Sequence, residues 1–467
     1  MGRMNSRPLR FWDLVLYTVA MTLSVRWLAT AAAAGPAALP LWALAMLGFM
    51  APLVIATAEL TTRFTGEGGL YIWSRETFGP FAGFLCGWIY WTCNLPFFSG
   101  VLYFAVNALS LAIGGPLGDA MRTPMVFAAT AIGITILIAG AHLLGLGAGK
   151  WLSNLGAISA CGLLLSIIAA GTAIALRDGP ATDFLKAPYA PPLNADGAIL
   201  WSTMVFAFGG PEALAFLRND VEGGTRQILR VLALVGGLLV FAYILGTTAM
   251  LSILDPRAIS RLSGLPDALR LSLSRLGLGA LAPAALVVLS AALLGGYSAW
   301  FGVAARLPFA AGVDHFLPRL FAKRDPRTGA PVTSIIVQTL AVIILVIVGQ
   351  AGANLKAAYD FLVSMTVLSY TAPFLFLFAV YLKVQAKPAP AGAWTLPGGP
   401  GIGRIVGVVG LLVTASAILC TLAPSPDEQN KFTAIVKLVI ASALLILSGV
   451  AAYALAASRA QRVGETR

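Results

Sequence analysis

Phe206-Ala207-Phe208-Gly209-Gly210-Pro211-Glu212 is the stretch on which the fold turns. It cuts short an apolar run that starts near Gly197. Two adjacent glycines remove side-chain constraint and weaken a helix. Proline fits the first turn of a new helix, where its missing N–H costs nothing. Glu212 would then stand near the positive N-terminal end of that new helix. Three helix-breaking residues together predict an unwound segment whose backbone groups face a ligand. A Pro-kinked helix around a buried, protonated Glu212 is the alternative.

The rest of the chain sets this break in a membrane. Of 467 residues, 58% are hydrophobic and 11% charged, against roughly 25% charged in soluble domains. So few charges cannot cover a soluble surface, and the chain is too apolar to be disordered. Charge-free runs suited to bilayer crossing, about 20 residues each, recur throughout. The first covers residues 14–25, is interrupted by Arg26 and resumes at Trp27; the second follows a Gly35-Pro36 hairpin and reaches residue 58. Others lie within 77–118, 123–141, 151–176, 197–212, 231–254, 281–305, 331–349, 357–382, 405–422 and 432–457. The expectation is an all-α polytopic membrane protein with twelve transmembrane helices. A Pro/Gly-rich linker over 386–400 divides it. Residues 1–385 form a core, with spans one to five at 13–176 and six to ten at 197–382. Residues 386–467 carry the linker, spans eleven and twelve and a short tail. The connection 255–279 is expected to form short amphipathic helices.

A formal net charge of +12 would suggest nucleic acid in a soluble protein. Here its distribution explains it. Twenty of the 31 Lys and Arg fall at the two termini and the connections on their side; nine fall on the opposite connections, and Arg26 and Lys437 lie inside spans. The positive-inside rule then puts both termini in the cytoplasm of a multi-pass cell-membrane protein, with no nucleic-acid partner. Arg3, Arg7 and Arg10 resemble a signal-peptide n-region, but no cleavage site in a polar context follows, so the first run is read as retained. Cys86, Cys93, Cys161 and Cys420 lie in apolar runs without a CxxC pair and read as small hydrophobes. Two histidines, His142 and His315, do not make a histidine metal site, and no metal or cofactor is expected.

The other interrupted span reads Met21-Thr22-Leu23-Ser24-Val25-Arg26-Trp27. Arg26 lies about 20 Å along a helix from Asp13, near the midplane. A guanidinium there needs a counter-charge or a wet cavity. It forms either a structural ion pair, Glu212 being one partner, or a contact to a substrate carboxylate. Interrupted spans at matching positions of two halves point to a transporter substrate site. Glu59, at the end of span two, is a second candidate acid; a salt bridge to Arg63 is the favoured reading.

Several stretches resemble the amino acid permeases of the amino acid–polyamine–organocation superfamily. They are Gly66-Glu67-Gly68-Gly69-Leu70-Tyr71-Ile72-Trp73, Phe78-Gly79-Pro80-Phe81, Gly87-Trp88-Ile89-Tyr90-Trp91, Phe206 to Glu212 with Asn219-Asp220-Val221-Glu222-Gly223-Gly224, and Ala304-Ala305-Arg306-Leu307-Pro308-Phe309-Ala310. The resemblance implies a LeuT-like five-plus-five inverted repeat with two peripheral helices. It implies a secondary active transporter of amino acids or related amines, an exchanger or a proton-coupled carrier. Family members commonly carry a glycine-rich segment in span one. Here Ser24-Val25-Arg26-Trp27 stands there, closer to the glutamate/GABA antiporter branch. By the same comparison Phe206 matches an aromatic gate and Tyr297 a site-lining aromatic; ordinary packing is the alternative for both. The substrate-binding candidates are therefore Ser24, Val25, Arg26, Trp27, Phe206, Gly209, Gly210 and Tyr297. Glu212 and Glu59 are the candidates for coupling.

Sodium-dependent relatives place hydroxyls on span eight; here Ser298 is followed by Ala299, an incomplete set. Residues 157–163 lack the span-five lysine of some proton-coupled relatives, and Lys150 lies at the span's end. Gly145-Leu146-Gly147-Ala148-Gly149-Lys150 lacks the first glycine and the Ser/Thr of a phosphate loop and reads as a tight turn. An integral-membrane enzyme or a channel is the competing class, but no HExxH, GxSxG or filter-like run occurs. The expected partners are a small-molecule substrate and the bilayer, with proton coupling, in a monomer or homodimer.

Overall fold

The computed structural model describes residues 10–64, 66, 68–220, 224–314, 316–350, 355–423 and 430–464. Arg3, Arg7, Glu67, His315 and the motif residues 221–223 lie outside the described residues. Eleven described helices are long and apolar enough to cross a membrane, and one bent pair brings the number to twelve. That pair is Phe11–Thr22 and Arg26–Ala32, joined at 44°. Span two covers Gly35–Arg63, span three Pro80–Ile113, span four Pro124–Leu143 and span five Gly149–Asp178. Spans six to ten are Ala195–Phe216, Arg226–Ile253, Gly279–Ala311, Val332–Gly349 and Tyr359–Val384; the last two are Gly399–Thr421 and Lys431–Arg459.

The bundle is most closed around span six and most open at span twelve, so the last helix is peripheral as expected. Without a hydrophobic effect between helices in lipid, close approach needs small residues. Gly156 on span five and Gly295 on span eight supply it: a Cβ on either would come within 2.3 Å of the other's Cα. This contact sets spans five and eight backbone to backbone beside the central cavity.

The connections follow their chemistry. Gly145, at φ +112°, takes the left-handed turn between spans four and five, the tight turn read from its sequence. The 255–279 connection holds an amphipathic helix, Gly264–Arg275, between two short 3-10 turns. The Asn194 side chain caps span six by accepting the Gly197 N–H at 3.1 Å.

Candidate functional site

The two breaks meet at the centre of the molecule. Span one loses helical form between Thr22 and Arg26, and span six between Ala207 and Pro211. Beyond Pro211 the chain continues as a new helix, of 3-10 type, over Pro211–Asp220. Gly210 sits at φ +125°, and a Cβ on it would lie 2.5 Å from Thr22 Cγ2. A Cβ on Gly209 would lie 2.4 Å from the Tyr370 ring. The first glycine therefore serves span ten, and the second serves both backbone conformation and span one.

The glycine amides differ from the expectation of free backbone donors. Gly209 N–H donates to Phe206 O at 2.9 Å, and Gly210 N–H donates to Glu212 Oε2 at 2.8 Å. The protein itself uses both. Glu212 is fully buried. Its Oε1 accepts the hydroxyls of Tyr90 and Tyr370, each at 2.7 Å. Three donors converge on this carboxyl, an arrangement suited to its ionised, acceptor-only form.

Arg26 is also buried, 1% exposed, but the anticipated ion pair with Glu212 does not form. The guanidinium lies over the rings of Trp27 and Phe97, at 4.1 and 5.1 Å from their centroids. Its Nε and Nη1 have no hydrogen-bond partner. Two aromatic faces satisfy a desolvated cation without fixing a counter-ion. Tyr359 stands beside it and lines a second, smaller cavity with Thr30, Ser202, Arg261 and Asp360.

A central cavity of roughly 630 Å³, open solvent at its mouth included, lies between the breaks. The candidates Ser24, Val25, Trp27, Phe206, Gly209 and Tyr297 all line it. Arg26, Gly210 and Glu212 stand behind that lining. Trp27 meets Phe206 edge to face at 5.3 Å, and Phe206 meets Tyr370 in the same way at 5.0 Å. A row of three lining rings thus runs from Arg26 to the phenol that holds Glu212. Glu59 lies elsewhere: its Oε1 is 2.7 Å from Arg63 Nη2, and Tyr381 and Gln385 donate to it at 3.1 and 3.0 Å. The salt-bridge reading of Glu59 is the one seen.

Sequence reasoning did not single out Tyr90, Tyr370, Trp300, Asn94, Phe97 or Tyr243. All but Tyr90 and Tyr243 line the cavity. The Trp300 Nε1–H donates to Met21 O at 2.7 Å, next to the first break. Tyr243 on span seven ties both breaks together. Its hydroxyl lies 3.0 Å from Thr22 O and 3.1 Å from Ala207 O, and it accepts the Ser24 N–H at 3.4 Å. One signal was available: a carboxyl buried in lipid needs donors, and hydroxyl-bearing aromatics inside apolar spans can supply them.

Comparison with known proteins agrees with this geometry. The model of a family described as amino acid permease matches residues 9–456. An uncharacterized transporter of Legionella pneumophila is 25% identical over 423 residues, covering 90% of each chain. A probable agmatine/putrescine antiporter of Lactococcus lactis is 21% identical over 413 residues, covering 87% of this chain and 86% of its own. The solved structure of MhsT in complex with L-phenylalanine is similar at a TM-score of 0.61 and 15% identity, covering 90% of this chain and 100% of that one. The likeness shows the LeuT-like fold.

Proposed function

The chain belongs to the amino acid permease family and is a secondary transporter, and from that premise we propose that its cargo is an amino acid bound as a zwitterion. One observation carries this reading. A buried guanidinium, Arg26, and a buried carboxyl, Glu212, stand at the two ends of the same row of lining rings, and neither pairs with the other. A carboxylate drawn toward Arg26 and an ammonium drawn toward the Tyr370–Glu212 end satisfy both ends at once. Trp27, Phe206 and Trp300 give the side chain an apolar, aromatic enclosure. A diamine, such as the Lactococcus relative is named for, leaves Arg26 without an anion and adds a cation near it.

The cycle is alternating access between the two halves that the breaks define. Protons couple through Glu212. Both termini face the cytoplasm, as the distribution of Lys and Arg supports. Residues 1–385 form the moving core, and the last two spans flank it. Counterflow into proteoliposomes preloaded with an amino acid tests the cargo class. External amino acids should exchange, and their decarboxylated amines should not. Equal exchange of the amine would overturn the zwitterion reading while leaving the carrier intact. Arg26→Ala should abolish the discrimination, and Arg26→Lys should restore it in part, since ammonium lacks the planar fork.

A further inference from the structure

The N-terminal half of span one, Phe11–Thr22, is a separate helix that the break frees from its partner half. Four tethers hold it in place. Trp300 and Tyr243 bind its last turn at Met21 and Thr22. Tyr17 donates to Ala299 O at 3.0 Å, and Asp13 Oδ1 pairs with Lys150 Nζ at 2.9 Å. Between the last two tethers lies an imidazole that the mechanism above does not use. His142, at the end of span four, places Nε2 2.9 Å from Ser298 O and 3.1 Å from Ser298 Oγ. A carbonyl only accepts, so Nε2 carries the proton and donates.

The seat is built for the ring. A Cβ on Gly149 of span five would lie 2.5 Å from His142 Cε1, and one on Gly302 of span eight 2.8 Å from it. Phe301 covers the ring at 5.5 Å between centroids. Ser298 follows Tyr297 and precedes Ala299, so the pin holds the segment that lines the cavity and receives Tyr17.

The charges around the ring decide what a second proton does. Span one presents Tyr17 and Asp13, and Asp13 is paired with Lys150 of span five. Arg306, near the end of span eight, adds a positive field. Span nine carries no titratable residue, and Tyr103 of span three meets span four only at its other end, against Phe127. The charge that acts on the imidazole is therefore the Arg306 cation, and the carboxylate of span one is already engaged by Lys150. A charged ring is poorly accommodated while pinned and well accommodated once water reaches it. We infer that His142 is a proton-sensitive pin that keeps the N-terminal half of span one seated against spans five and eight, and that protonation releases that half to open the N-terminal face of the carrier.

The magnitude follows from linkage. An imidazole has an ordinary pKa of about 6.5. If the pinned ring stays neutral and the released ring titrates ordinarily, the open-to-closed ratio rises about tenfold between pH 8 and pH 5.5. Spin labels at Trp12→Cys and Leu320→Cys, both exposed positions, report the separation across this face by pulsed electron resonance. The four native cysteines are replaced in that background, and no cargo is present, so the outcome does not depend on the cargo assignment. The longer-distance population should grow about tenfold relative to the shorter one on acidification. His142→Gln keeps a donor near Nε2 but cannot take a second proton, and should hold the closed ratio at both pH values. A wild-type distribution unchanged by pH overturns the inference, even if the variant does not fold. A Gln variant that keeps the wild-type response overturns it as well.

Discussion

Tyr243→Phe removes one oxygen atom and leaves the rest of span seven as it was. The ring still stacks on Trp42, 4.4 Å away at 11° between planes, so packing is retained. The hydroxyl serves three backbone groups from two broken spans. Its single proton goes to one carbonyl at a time, Thr22 O or Ala207 O, while its lone pair takes the Ser24 N–H. Two hydrogen bonds are therefore lost together, in a region without bulk water. Each buried group left unpaired costs about 1–3 kcal/mol. The Ser24 bond is long and lies at the low end, which puts the total at about 2–4 kcal/mol. If the breaks shape the cargo site, part of this appears as weaker binding, at tenfold for each 1.4 kcal/mol or so. Melting of purified protein in one detergent, with cargo affinity from the same sample, reads both quantities. The variant should melt lower and bind at least about tenfold more weakly. Unchanged melting and unchanged affinity would refute the claim that one phenol joins the two breaks.

Gly210→Ala puts a Cβ at positive φ and 2.5 Å from Thr22 Cγ2, so it should cost roughly 1–3 kcal/mol in backbone strain alone and lower the melting temperature. Glu212→Gln should keep cargo exchange in proteoliposomes but lose accumulation driven by an imposed pH gradient; retained accumulation places the proton path elsewhere. Asp314→Asn should loosen the contact of the Leu70–Phe78 helix with the end of span eight, where Asp314 accepts from Arg75 at 2.5 Å and from Tyr71. Both charged partners are about a quarter to a third exposed, so the loss should stay below about 1 kcal/mol. Burial works against the Arg75 charge, but Asp314 more than offsets it and holds that pKa above its ordinary value. A base whose pKa is raised on folding keeps its contribution at every pH below the unfolded value. The Asp314→Asn effect on melting should therefore be the same at pH 6 and pH 9.

The membrane class and the positions of the two breaks were legible because both depend on local composition. Gly209-Gly210-Pro211 concentrates three helix-weakening residues in one place, and Arg26 interrupts an apolar run whatever it touches. Partners were less legible, because they are set by helix packing between distant segments. Arg26 and Glu212 are the only charges near the midplane of their spans, and pairing them was reasonable by elimination. The structure instead gives Glu212 to Tyr90 and Tyr370, 122 and 158 residues away, and gives Arg26 to two aromatic faces. No periodicity in spans three and ten marks those tyrosines as donors. Glu59 was readable because its partner Arg63 is one helical turn away, within reach of sequence spacing.

Keeping Arg26 and Glu212 apart also bears on how a carrier works. A direct pair would neutralise both charges and leave little for a ligand to gain. Breaking such a pair would then oppose binding, since removing one partner of a buried pair is strongly destabilising. Held separately, each charge is stabilised in a way that a ligand can add to. Trp27 and Phe97 support the guanidinium but leave Nε and Nη1 unbonded. Tyr370 supports the carboxylate and at the same time lines the cavity. On the zwitterion reading, cargo completes interactions that the empty protein leaves open and breaks none that it already has. The same separation explains why both breaks are needed. Arg26 begins the second half of span one and Glu212 lies in the first turn after Pro211, so a motion that parts these two segments changes the distance between the two groups. A cargo that engages both therefore binds most tightly at one separation, which is how binding free energy becomes a preference for one conformation over another.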